Sequence, residues 1–108
     1  MFDGLWTVEF NSTINRFGRG VIVLLNGRLF GGDAGYYYSG TYEIKGNKIE
    51  GVTNVTRYDE THTSVFGDLG QFKLKFSGEI SSLRFSASAS IVDRPDKLRL
   101  EGHKKEDL

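Results

Sequence analysis

The chain has 108 residues, with 14 basic and 14 acidic side chains, two histidines and no cysteine. Such a length makes one domain, residues 1–108, with a modest core. The missing cysteines exclude disulfides and thiolate metal sites. Balanced charge leaves no net field to draw the chain toward duplex nucleic acid or anionic lipid.

Met1–Gly4 lacks the basic and apolar regions of a signal peptide, so the expected location is cytoplasmic. Without a secretory route, the Lys105–Leu108 tail and the Asn11-Ser12-Thr13 and Asn54-Val55-Thr56 sequons read as chance matches. The longest apolar run, Val21–Leu25, is far too short to span a bilayer.

Along the chain, period-two alternation dominates and no helical apolar face appears. Trp6, Val8 and Phe10 alternate with Thr7 and Glu9, which predicts a first strand over 4–11. A second follows at 18–25. Asn26-Gly27, whose two central positions suit the φ > 0 of a tight hairpin turn, leads into a third at 28–32. Tyr38, Gly40, Tyr42 and Ile44 share one parity in a strand over 36–45, and Gly46-Asn47 turns it into 48–58. The segment from Asp59 to Leu69 is the longest connection and the expected mobile one. Phe72, Leu74, Phe76, Gly78 and Ile80 define a strand over 70–79; Leu83, Phe85, Ala87, Ala89 and Ile91 define its partner over 83–92. Asp93-Arg94-Pro95-Asp96 breaks this from a last strand over 97–103, with Lys104–Asp107 read as a solvated, frayed end. Eight half-apolar antiparallel strands must hide their apolar face, and pattern alone leaves a closed barrel and a two-sheet sandwich as rivals.

One block is more specific than the rest. Asp3-Gly4, Gly18-x-Gly20, Asn26-Gly27-x-Leu29, Gly31-Gly32-Asp33 and Tyr38-x-Gly40 occur in an order that resembles the GrlR-like family of bacterial regulators, named for negative control of type III secretion genes. The resemblance covers nearly the whole chain and is strongest from Gly31 to Tyr42. It implies an all-β, single eight-stranded antiparallel calycin-like (lipocalin-like) β-barrel that binds a partner, often as a homodimer, without chemistry or cofactor of its own. The partner it implies is a helix-turn-helix transcriptional activator. Where founding members carry alternating acidic residues as a contact surface, this chain has Ile44-Lys45-Gly46-Asn47.

A barrel of eight strands is either filled by side chains or wide enough for one small ligand. Trp6, Tyr38, Tyr42 and Phe76 are the residues expected to line a cup for a small apolar ligand, with tyrosine hydroxyls supplying its polar contacts. In the Tyr36-Tyr37-Tyr38 triplet, Tyr37 is expected to face outward with Tyr36 flanking it near the turn, making the two candidates for a partner or dimer interface. Asp33, after two glycines, reads as a turn residue whose carboxylate accepts backbone N–H groups. The Arg57–Ser64 stretch gathers acid, imidazole and hydroxyl types, yet neighbours in one loop seldom form a nucleophile–base–orienter set. Two scattered imidazoles give no metal-ligand spacing.

Overall fold

A computed structural model describes residues 2–108 as eight antiparallel strands. They are β1 (Gly4–Ser12), β2 (Phe17–Leu25), β3 (Arg28–Gly32), β4 (Tyr36–Lys45), β5 (Lys48–Arg57), β6 (Gln71–Ile80), β7 (Arg84–Ile91) and β8 (Lys97–Asp107). Each pairs with its neighbour in sequence, and β8 returns to β1, so the sheet closes on itself. The sandwich is thereby excluded: closure leaves no free edge to protect.

The closing seam runs from Ser12↔Leu98 to Gly4↔Asp107, with a register shift between Leu5 and Trp6. That seam corrects the reading of the C-terminus. Lys104–Asp107 is strand, because Gly4 and Leu5 offer backbone partners to it. The Lys104 ammonium is covered and meets Asp107 at 2.5 Å.

Turn chemistry follows residue type. Asn26 and Gly27 both have positive φ (50° and 81°), as the tight β2–β3 hairpin demands. At the β4–β5 hairpin only Gly46 does (φ 63°), which suits a turn with its strained position first.

Alternation places one face of every strand inside. Trp6, Ile22, Leu24, Leu29, Ile49, Val55, Leu74, Phe76, Ile80, Phe85, Ile91 and Leu98 are all buried in one core. The two ends of this interior differ. Around the N-terminus and the β2–β3 and β6–β7 turns the space is filled. Trp6 is fully buried (0% exposed), its ring centroid 5.4 Å from that of Phe85, and its indole N–H donates to the Phe2 carbonyl at 2.9 Å. The Phe85 ring in turn lies where Gly102 has no side chain; a Cβ there would come within 2.0 Å of it. The opposite end, where β3 meets β4 and β5 meets β6, is hollow.

Candidate functional site

The hollow end is a cup of about 260 Å³. Its wall and floor come from Val8, Ile22, Leu24, Leu29, Ile49, Val55, Leu74, Phe76, Phe85 and Leu98, all inward-facing strand positions. Nearer the rim stand Phe10, Tyr36, Tyr38, Phe72 and Leu100. An engineered apolar cavity of about 150 Å³ is already enough to hold benzene, and natural ligand sites begin at roughly 300 Å³. The interior is therefore both outcomes the sequence left open, filled at one end and cupped at the other.

Of the four residues expected to line the cup, Tyr38 and Phe76 do so. Trp6 and Tyr42 do not. Both point inward as alternation requires, but they sit toward the filled end: Trp6 packs on Phe85, and the Tyr42 hydroxyl donates to Asp3 at 3.3 Å beside the Asn26 turn. Alternation fixes the face of the sheet; it carries no information about height along the barrel.

Tyr36 is a second correction. Rather than flanking Tyr37 on the outer wall it is buried (3% exposed) and lines the cup, whereas Tyr37 is half exposed (50%). Tyr36 shares its parity with Tyr38, and β4 already has regular pairing at Tyr36↔Arg57, so nearness to the turn does not rotate it outward.

Asp33 organises the rim. Its Oδ1 accepts the backbone N–H groups of Gly35 (2.9 Å) and Tyr36 (2.8 Å), and its Oδ2 accepts the Tyr38 hydroxyl. Burial, with the adjacent Asp33 carboxylate adding to it, pushes the Tyr38 phenol far above its ordinary value, so it holds its proton as a donor. The Tyr58 hydroxyl donates to the Asp33 carbonyl at 2.5 Å. Asp33 is thus a turn residue, as its Gly-Gly context indicates.

The long connection from Asp59 to Leu69 is folded across the mouth. Ser64 and Gly67 form an isolated bridge, and the tight turn between them presents Val65 and Phe66 to the cup. Phe66 meets Phe72 edge-on at 5.6 Å. Three anchors hold this lid. The Tyr36 hydroxyl donates to the Leu69 carbonyl at 2.5 Å; Arg57 reaches Asp68 at 2.6 Å and the His62 carbonyl at 3.2 Å; and His62 lies so close over Gly35 that a Cβ there would sit 2.3 Å from its own Cβ. Only glycine admits that approach.

Within the lid, His62 Nδ1 lies 3.2 Å from Asp59 and 3.3 Å from the Thr61 hydroxyl. Ser64 donates to the Gly67 carbonyl at 2.9 Å and accepts from the Phe66 N–H at 3.0 Å. Both of its bonds shape the turn, and neither is to His62. Among the described residues no group of three or more His, Asp or Glu side chains converges as metal ligands.

The lid residues Val65, Phe66 and Leu69 and the polar Thr53 are parts of the site that sequence reasoning missed. The signal available for the lid was the apolar pair Val65-Phe66 directly before Gly67 in an otherwise polar stretch.

No protein-family model matches the chain, and no curated protein matches it. Among solved structures it is similar to a redesigned β-barrel, with a TM-score of 0.68 and 14% sequence identity, over 97% of this chain and 92% of that one. At that identity the likeness concerns the fold alone.

Proposed function

We propose that this chain is a non-enzymatic regulatory barrel whose cup takes a small apolar ligand and whose outer wall contacts a protein. The observation that carries the reading is the lidded apolar cup beside a well-packed floor. Filling the cup with side chains would have been the more stabilising choice, since each large apolar side chain buried contributes about 1.5–3 kcal/mol. An apolar void kept open under an anchored lid is the arrangement of a binding site.

Support for the protein contact comes from the outside of the same wall. Val21, Phe30 and Tyr37 are exposed on β2, β3 and β4, with Val23 opposite Phe30 in register. Apolar and aromatic residues gathered on one face are characteristic of interface cores. The GrlR-like resemblance supplies the role: negative regulation of transcription through a helix-turn-helix activator in a type III secretion setting, with homodimer formation on the same surface. A barrel that only carries or senses a hydrophobic molecule is the second reading, favoured by the absence of acidic residues at Ile44–Asn47.

Native mass spectrometry of protein from its own host tests the ligand, with an apolar adduct expected and a persistently bare barrel counting against it. Affinity capture from that host separates the two readings. Recovery of a helix-turn-helix activator by the wild type and not by Tyr37→Ala supports the regulator; ligand without any such activator supports the carrier. Sedimentation of the same pair reports on the dimer, which Tyr37→Ala is expected to dissociate.

A further inference from the structure

The cup's interior polarity restricts what it can hold. Of its rim hydroxyls, Tyr36 donates its hydrogen bond to the Leu69 carbonyl and Tyr38 donates its own to Asp33. Ser64 is spent within the lid turn. Thr53 on β5 is different. It is buried among inward positions, between Gly40 on one side and Leu74 on the other, and the residue lines the cup. Its one partner is the adjoining Asn54 carbonyl at 3.4 Å, much longer than the usual 2.7–2.8 Å of an O–H···O bond. A buried hydroxyl so weakly satisfied is rare in a folded core and marks a place where another polar atom belongs.

Charge points the same way. The two cations of inward parity are both engaged: Lys104, opposite Trp6 at the filled end, meets Asp107, and Arg57, opposite Tyr36 at the rim, meets Asp68, Glu60 and the His62 carbonyl. Arg19, at the rim, lies on the outward side with Phe17 and Val21, its guanidinium 5.3 Å from the Phe17 ring centre. The charged group that does border the cup is the Asp33 carboxylate. An anionic ligand would bury its charge unpaired beside another anion, which is strongly unfavourable.

From these contacts we infer that the cup selects an uncharged, largely apolar molecule carrying one hydroxyl- or carbonyl-sized group, read by the Thr53 hydroxyl. Fatty-acid-like anions of equal size are excluded. This inference rests on the ligand-binding reading above and narrows it to a chemical class.

Three probes of one shape test it: naphthalene, 2-naphthol and 2-naphthoate, titrated at neutral pH against wild type, Thr53→Val and Thr53→Ser. In wild type, 2-naphthol is expected to bind roughly five-fold more tightly than naphthalene, the worth of one net hydrogen bond. 2-Naphthoate is expected to bind at least about a hundred-fold more weakly than 2-naphthol. Thr53→Val should erase the 2-naphthol advantage while leaving naphthalene unchanged, and Thr53→Ser should retain it. If 2-naphthoate binds as well as 2-naphthol, or the advantage survives in Thr53→Val, the assignment to Thr53 and to neutral ligands is overturned while the cup remains a binding site. If none of the three binds wild type, the ligand-binding reading falls as well. Should the valine variant not fold, the wild-type probe series and the serine variant still decide the matter.

Discussion

The two ends of this barrel are built from the same alternation of residues and put it to opposite uses. At the filled end, Trp6, Phe85 and Gly102 interlock, and nothing could be added without displacing a ring. At the cupped end, smaller side chains (Leu74, Val55, Leu98) line the wall and leave about 260 Å³ open beneath a lid. Interiors are normally packed to the density of organic crystals, so the contrast within one small core separates stability from binding in space. Substitutions at the filled end should therefore change folding, and those at the cup should change occupancy.

The largest expected effect is Trp6→Ala. Removing a fully buried indole and its bond to the Phe2 carbonyl should cost about 3–5 kcal/mol, read as a fall in the denaturant midpoint, enough to unfold much of a small domain. A loss below about 1 kcal/mol would show that the filled end is not the stabilising half.

Next comes a pair of small-to-large changes. Ala87 is buried against Gly78, where a Cβ would already lie 2.8 Å from its own, so Ala87→Leu should cost about 1–3 kcal/mol through overpacking. Val55→Phe projects into the cup, where room exists. Its stability should stay within about 1 kcal/mol of wild type in either direction, and binding of 2-naphthol should disappear. Equal destabilisation by both, measured in urea, would mean the cup is not open space.

How far these ends could be told apart from the sequence depends on which physical signal each carries. The strand bounds apart from the C-terminal end of β8, the two tight hairpins and the inward set from Trp6 to Ile91 follow from parity and turn chemistry, which act over a few residues. Height along the barrel does not, and so Trp6 and Tyr42 pass as cup residues until tilt and closure place them. Tyr36 shows the reverse: its parity with Tyr38 is legible, and proximity to the Asp33 turn does not override it. The lid is the least legible part, because Val65, Phe66 and Leu69 follow no period; their burial is decided by long-range anchors from Tyr36, Arg57 and Gly35.

At the rim, Tyr38→Phe leaves an Asp33 oxygen without its phenol partner and should cost about 1–3 kcal/mol. It should also flatten the alkaline limb of stability. The folded phenol is held above its ordinary value of 10.0, so its contribution is whole below pH 10. Above that, the unfolded chain releases this proton while the folded one keeps it, and stability declines by up to about 1.4 kcal/mol per pH unit. Tyr42, whose phenol is also raised by burial, leaves a residual slope in the variant. Wild type and Tyr38→Phe losing stability in parallel between pH 10 and 11 would remove Tyr38 as the cause.

The smallest effect on stability, and the most telling about the cup, is expected from Phe66→Ala. Phe66 is only partly buried, and the lid keeps its Tyr36–Leu69 and Arg57–Asp68 anchors without it, so the cost should stay under about 1 kcal/mol. The ring nevertheless stands edge-on to Phe72 across the mouth. Its loss should widen the exit and raise the dissociation rate of 2-naphthol by roughly ten-fold, with association changing far less, since affinity differences within one site are carried mostly by dissociation. Stopped-flow release from wild type and variant measures this directly. An unchanged off-rate beside unchanged stability would make the 64–67 turn a bystander, and the ligand's way in and out would then lie on the other side of the rim, between Phe17 and Leu100.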